Sequence, residues 1–278
     1  MNLKTTQNAL VFDKVNPLDL SLTLDCGQCF RWVENPDGSW HGVVGSKKVD
    51  AVCEGGNLIL TGDVSENDRE MWSRYFDLRR DYSSLCERFC ADKWLKKAVD
   101  AYPGIRVLHQ EPWETLCSFI ISQNNNIPRI KGIIDRLCYN FGDDLGGDFT
   151  FPSAQTIAQK TPEDLAVLRA GFRVKYILDA AKKISDGEID LTEIENADIE
   201  TARLELQKIS GVGPKVAECA LLYGFGRVDA FPVDVWVRRI MEELYPDGLP
   251  ECTEGSRGIA QQYLFHWRRN VVNPFEDE

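Results

Sequence analysis

No stretch of the 278-residue chain approaches the roughly 20 consecutive apolar residues that a membrane-spanning helix needs. Its start, MNLKTTQNAL, lacks a basic region followed by an apolar run. Neither a membrane span nor a secretory leader is expected, and the protein is expected inside the cell: in the cytoplasm or nucleoid of a prokaryote, or the nucleus of a eukaryote. Internal repeats and low-complexity tracts are missing too, which excludes solenoids and arrays. Basic charge is scarce, with 32 Lys and Arg against 44 Asp and Glu, a net −12. At face value that opposes a nucleic-acid partner. Fields of exposed charges, however, are screened within roughly 8 to 10 Å at physiological salt, so their distribution outweighs their sum. Residues 186 to 200 are acidic without one Lys or Arg and read as a solvated face, whereas 169 to 183 and 203 to 217 lean basic.

Cysteine is present, nine in all, but scattered singly along a long chain, unlike a small disulfide scaffold. The thiols are expected to be reduced and mostly buried. A zinc clip from Cys26/Cys29 and Cys86/Cys90 is disfavoured, because neither pair sits in a Gly-rich knuckle and the second has helical spacing. A redox role for CGQC is disfavoured as well, since the segment reads as strand rather than as the opening of a helix.

From residue 10 to about 64 the pattern alternates in the strand manner, through SLTLDCGQCFRWVE, SWHGVVGSKKVDAVCE and GGNLILTG, with NPDG as a turn. An antiparallel sheet is expected there. Beyond Glu66 the period is helical. Helices are expected over 67–78 and 82–101, then two meeting at the Asn run of EPWETLCSFIISQNNNIPRIKGIIDRLCYNFG, with Asn126 as N-cap and Pro128 in the first turn. Thr161 and Pro162 start another, with Asp164 at a capping-box position. Further helices are expected at about 173–185, 199–208, 214–223, 233–245 and 255–270. The fold class is α+β, a sheet domain with backing helices over 1–103 and a helical bundle over 104–278.

The most informative stretch is LQKISGVGPKVAECALLYGFGRVDAFPVDVWVRRI, residues 206–240. Gly211 and Gly213 flank Val212 between two helices, and glycine at both sites allows positive φ and a tight turn. Backbone N–H groups left bare at the next helix start, with the helix dipole, suit a phosphate without any side-chain charge. Lys215 sits in that helix's first turn, and Asp234 follows nineteen residues later at another helix start. A GxG alone is merely a tight turn; the combination is specific.

This pattern resembles the helix-hairpin-helix DNA glycosylase superfamily, and Lys215 resembles its bifunctional branch. From LDCGQCFRW through SQNNNIPRI and GFRVKY to IAQQYLF, the chain is similar to 8-oxoguanine DNA glycosylases. The resemblance implies a TBP-like antiparallel sheet joined to two helical subdomains around a cleft, acting as a monomer on double-stranded DNA that contains oxidised guanine. Cleaving an N-glycosidic bond builds positive charge on the sugar, which a carboxylate such as Asp234 stabilises. An amine attacking C1′ gives a Schiff base and then β-elimination, the part that falls to Lys215. Attack requires a free amine, so Lys215 is expected in a partly buried pocket.

The resemblance also implies roles for further residues. Gly27, in what reads as a strand turn, would offer its carbonyl to the N7–H that distinguishes 8-oxoguanine from guanine. Phe265 and Cys219 would sandwich the flipped base while Gln261 reads its Watson–Crick edge; Cys219 also lies on the helical face of Lys215 by spacing alone. Asn124 would fill the hole left in the duplex, Arg129 and Arg173 would contact the orphaned cytosine, and Phe172 would wedge the stack. There are departures. Trp236 stands where some relatives carry His, Phe172 where Tyr is often found, and Ser210 where Pro is common. Only Cys252 follows Asp234, so neither an iron–sulfur cluster nor an organic cofactor is expected, although a cation could sit on the hairpin carbonyls. Two alternatives remain open: a monofunctional alkyl-purine glycosylase, which needs the Asp but not Lys215, and a non-catalytic helix-hairpin-helix module, which needs neither.

Overall fold

The computed structural model describes residues 9–15 and 17–271. Five strands, β1 (Ala9–Phe12), β2 (Trp32–Glu34), β3 (Trp40–Val44), β4 (Lys47–Glu54) and β5 (Asn57–Gly62), form an antiparallel sheet in the order β1-β5-β4-β3-β2. Alternation places Val49 and Ala51 of β4 and Leu58 and Leu60 of β5 on one buried face, with Ala51 paired to Leu60. The helix Arg69–Tyr75 closes that face, packing Trp72, Tyr75 and the following Phe76 against Trp32 and Trp40. The Trp32 indole donates to the Tyr75 hydroxyl at 2.8 Å, so the buried polar ends satisfy one another.

The expected strand over residues 20–31 is a correction. Leu20–Leu24 is a helix capped by Asp19, which accepts from the Leu22 N–H at 2.9 Å, and the chain is irregular from there to Trp32. SLTL alternates, but Leu20 and Leu24 are also four apart, and both are buried. Gly27 therefore lies not in a strand turn but in a loop, at φ +93°.

That loop is pinned by Gln28, itself buried. Its amide donates to the Thr23 and Arg106 carbonyls at 2.8 and 2.7 Å, and accepts from the Leu108 N–H at 2.9 Å. The Gln28 carbonyl in turn receives the Gln110 amide at 2.8 Å. Leu108 packs in the sheet's core and Phe30 in the helical one, so the loop carrying Gly27 sits where the two cores meet.

Helices Pro112–Ser122, Ile127–Phe141, Arg173–Ser185, Ile199–Leu206, Pro214–Tyr223, Val235–Leu244 and Arg257–Asn270 fall where the sequence places them. Asn126 caps the second, accepting from the Arg129 N–H at 3.0 Å. Three expectations change. The helix over 82–101 is two, Tyr82–Phe89 and Lys93–Ala101, because Asp92 caps the second through the Trp94 and Leu95 N–H groups. Thr161 and Asp164 form their reciprocal bonds, but only the 3₁₀ turn Asp164–Leu168 follows, ending at left-handed Arg169. The acidic segment holds the helix Leu191–Asn196, capped by Asp190 and anchored by buried Ile189 and Ile194. All nine cysteines are free, five of them buried. No helix among the described residues is long and apolar enough to cross a membrane.

Candidate active site

Lys215, Cys219 and Tyr223 lie at i, i+4 and i+8 of the helix Pro214–Tyr223 and form one stripe. The stripe lines a cavity of about 60 Å³ completed by Cys26, Gly27, Phe119, Pro232, Asp234, Gln261, Gln262 and Phe265. The cavity opens into a groove of about 650 Å³ that also touches Asp25, Asn125, Trp236 and Arg269. Asp25 is paired there with Lys131 at 2.9 Å, and the Arg269 guanidinium lies 5.3 Å from the Phe265 ring centroid.

Lys215 is half-buried, as expected, with Nζ 5.1 Å from the centroid of the Phe119 ring. Phe119 stacks on Tyr223 at 5.3 Å, giving the amine an aromatic floor. Asp234 caps the helix Val235–Leu244, accepting from the Val237 N–H at 2.8 Å through Oδ1, which leaves Oδ2 for the cavity. Its loop is tied to the helix of Lys215 by Glu218, a buried carboxylate that accepts from the Phe231 N–H at 2.6 Å and from Arg203. Sequence reasoning missed Glu218. Its place, three residues after Lys215 but outside the cavity lining, carries no local signal of that job.

The Cys219 thiol is buried, and desolvation pushes it up to about 11 against the opposing pull of Lys215. It is a neutral, polarisable wall rather than a nucleophile. Gln261 and Gln262 are buried side by side on the helix Arg257–Asn270, and the Gln261 Oε1 and Gln262 Nε2 atoms have no hydrogen-bond partner. Buried polar atoms are nearly always paired, so two without a protein partner on residues lining a cavity are positions for a ligand or a water to complete. Among the described residues no donor engages the Gly27 carbonyl either.

At the hairpin only Gly211 takes positive φ, at +78°, and a Cβ there would stand 2.4 Å from the Tyr176 ring. Gly213 does not: it is the N-cap at φ −93°, extended, with no side-chain cap bond. Val212 between them is buried. The expected pair of positive φ angles is thus one, since the turn is made at Gly211, while Gly213 and Pro214 keep the helix start exposed.

The predicted opposite-strand residues gather elsewhere on the surface. Asn124 is exposed at φ +47°, Arg129 is exposed beside it, and Phe172 is 47% exposed with its ring edge-on to Tyr176. Arg173 is not free. It is buried, and its guanidinium donates to the carbonyls of Gln123 at 2.9 Å, Asn124 at 2.9 Å and Ala170 at 3.1 Å. Four of its five N–H donors are engaged. In this arrangement Arg173 shapes the Asn124 turn from below.

The family model described as the 8-oxoguanine DNA glycosylase N-terminal domain matches residues 10–116, and that of the HhH-GPD superfamily of base excision DNA repair proteins matches 117–250. An N-glycosylase/DNA lyase of Saccharomyces cerevisiae is 32% identical over 257 residues, 82% of this chain and 68% of the relative. Solved structures align over nearly the whole chain. An 8-oxoguanine glycosylase/lyase of Clostridium acetobutylicum, in complex with double-stranded DNA containing cytosine opposite to 8-oxoG, has a TM-score of 0.89 at 36% identity, covering 95% of this chain and 96% of that one. MBOgg1 in complex with a low-affinity DNA ligand has a TM-score of 0.89 at 40% identity, covering 96% and 98%. With Lys215, Asp234 and Gly27 lining one cavity behind a single-glycine hairpin turn, the chain belongs to the 8-oxoguanine DNA glycosylases of the HhH-GPD superfamily.

Proposed function

We propose that this protein excises 8-oxoguanine paired with cytosine from duplex DNA and then nicks the abasic strand. The observation that carries the reading is the cavity itself. An amine and a carboxylate share it with a buried, unpartnered glutamine acceptor, so reacting groups and a base-reading group stand around one hole. As the base departs, Asp234 Oδ2 stabilises the positive charge developing on the sugar. The Lys215 amine bonds to C1′, giving a Schiff base once the ring opens, and loss of the C2′ proton then expels the 3′ phosphate by β-elimination. These two side chains supply the chemistry, so the reading calls for no cofactor.

The base is placed with N7–H toward the Gly27 carbonyl, its N1–H edge toward Gln261, and its faces between Phe265 and Cys219. The exposed helix start at Gly213 takes a backbone phosphate, which makes a net −12 compatible with DNA binding. Outside the cavity, Asn124, Arg129 and Phe172 meet the opposite strand. A monofunctional alkyl-purine reading leaves Lys215 in the cavity without a task.

Borohydride trapping with a duplex carrying 8-oxoguanine opposite cytosine tests the proposal. The wild type forms a covalent adduct and Lys215→Gln forms none. An adduct persisting at wild-type yield in that variant would refute the assignment of the amine.

A further inference from the structure

Gln262 is 1% exposed, and Gln261 beside it 4%. Their unpaired atoms are of opposite kind, an acceptor on Gln261 and a donor on Gln262. The orientation of the Gln262 amide is held by Tyr223, whose hydroxyl donates to Oε1 at 2.6 Å. Tyr223 is itself buried and locked by its stack on Phe119. With the oxygen of the amide held in this way, Nε2 is left without a hydrogen-bond partner among the described residues, on a side chain that lines the cavity together with Cys26 and Gly27.

We infer that Gln262 is a second base-reading residue, donating from Nε2 to the O6 carbonyl of the flipped oxopurine. The inference rests on the function proposed above and deepens it. Along one edge of 8-oxoguanine the groups run N1–H, C6=O, N7–H: donor, acceptor, donor. The residues lining the cavity offer the complementary set: Gln261 Oε1 as acceptor, Gln262 Nε2 as donor and the Gly27 carbonyl as acceptor. An adenine-type base presents an N1 acceptor and an N6 amino donor, so it opposes this wall at two successive positions. A site whose buried polar groups are matched by the right base and stranded by the wrong one discriminates far more strongly than a shape-selective apolar pocket. Tyr223 is then a positioning residue, acting through the amide it orients.

The test compares two single-turnover rates in the same proteins: base excision from an 8-oxoguanine:cytosine duplex, and cleavage of a duplex already carrying an abasic site, where no base remains to be read. For Gln262→Glu, which keeps the shape and the acceptor for Tyr223 but removes the donor, and for Gln262→Met, the ratio of excision to abasic cleavage falls about tenfold to a hundredfold. For Tyr223→Phe, which frees the amide to rotate, it falls about threefold to tenfold. Discrimination against 8-oxoadenine narrows in all three. A ratio unchanged in both Gln262 variants, whether the two rates persist or decline together, overturns the inference and leaves Gln262 a packing residue. A wild type inactive on 8-oxoguanine overturns the parent reading and this one with it, whereas an active wild type with unchanged ratios overturns this one alone.

Discussion

Around Lys215, two buried glutamines keep polar atoms unpaired, while around Asn124 a buried arginine has four N–H donors on backbone carbonyls. The first region is a set of unmet hydrogen bonds enclosed by packed side chains. The second is a set of met hydrogen bonds supporting exposed ones. The contrast follows from what each region does in the proposed function. A base entering the cavity is recognised through polar groups that have no partner within the protein, because a buried unpaired donor or acceptor gains the full value of its bond. A surface meeting the opposite strand has to keep its shape in water, so its turn is held from beneath.

The comparison breaks most visibly at Arg173. Arg173→Met removes the donors to the carbonyls of Gln123, Asn124 and Ala170, and stability to urea is expected to drop by about 2–4 kcal/mol. The same variant is expected to lose preference for cytosine opposite the lesion, as the left-handed Asn124 turn relaxes. A loss under about 1 kcal/mol would mean that the turn holds itself. The hairpin sharpens the contrast at the next scale. Gly211→Ala puts a methyl group 2.4 Å from Tyr176 at φ +78°, for an expected cost of about 1–3 kcal/mol and weaker duplex affinity. Gly213→Ala meets no atom within 4 Å and needs no unusual φ, so its cost stays below about 1 kcal/mol. Thermal melts of the two variants separate the residue that makes the turn from the one that only caps the helix.

The smallest effect lies at the sheet. His41 on β3 bonds Asp50 at 2.8 Å through Nδ1 and Asp148 at 3.3 Å through Nε2, latching the 143–150 loop to the sheet. Burial opposes the charged ring, but the two carboxylates outweigh it and raise the pKa. A raised pKa in the folded state means the latch is complete below the ordinary histidine value and weakens as pH rises through the folded one. Hydrogen exchange in the 143–150 loop is therefore expected to run a few-fold faster at pH 8 than at pH 5.5, beyond the intrinsic rate change. His41→Gln should remove that difference, and an unchanged pH dependence in the variant would locate the latch elsewhere, for example in the bond from Arg31 to the Phe149 carbonyl.

Much of the helical half was readable because its signals are local. Asn126 with Pro128 marks one helix start, and Lys215 with Cys219 shares a face at four-residue spacing. The strand expected over 20–31 failed for a local reason as well: four residues of alternation fit both periods, and only the Asp19 cap favoured the helix. The site was half legible. Lys215, Asp234, Gly27, Cys219, Gln261 and Phe265 do converge on one cavity. Gln262, Tyr223 and Glu218 were invisible, since a glutamine on a helix, a tyrosine in an apolar run and a glutamate three residues past a lysine each have commoner explanations.

By itself the sequence determined the order of sheet and helices, the hairpin turn and the nineteen-residue interval from amine to carboxylate, all consequences of backbone preferences acting over a few residues. Tertiary structure alone decided which polar atoms would be buried and unpaired, that Arg173 would point inward, and that Gly27 would sit in a loop between two cores. Those outcomes depend on partners far apart in the chain, 39 residues for Tyr223 and Gln262 and 50 for Arg173 and Gln123. Burial and pairing are properties of the packed assembly rather than of any segment.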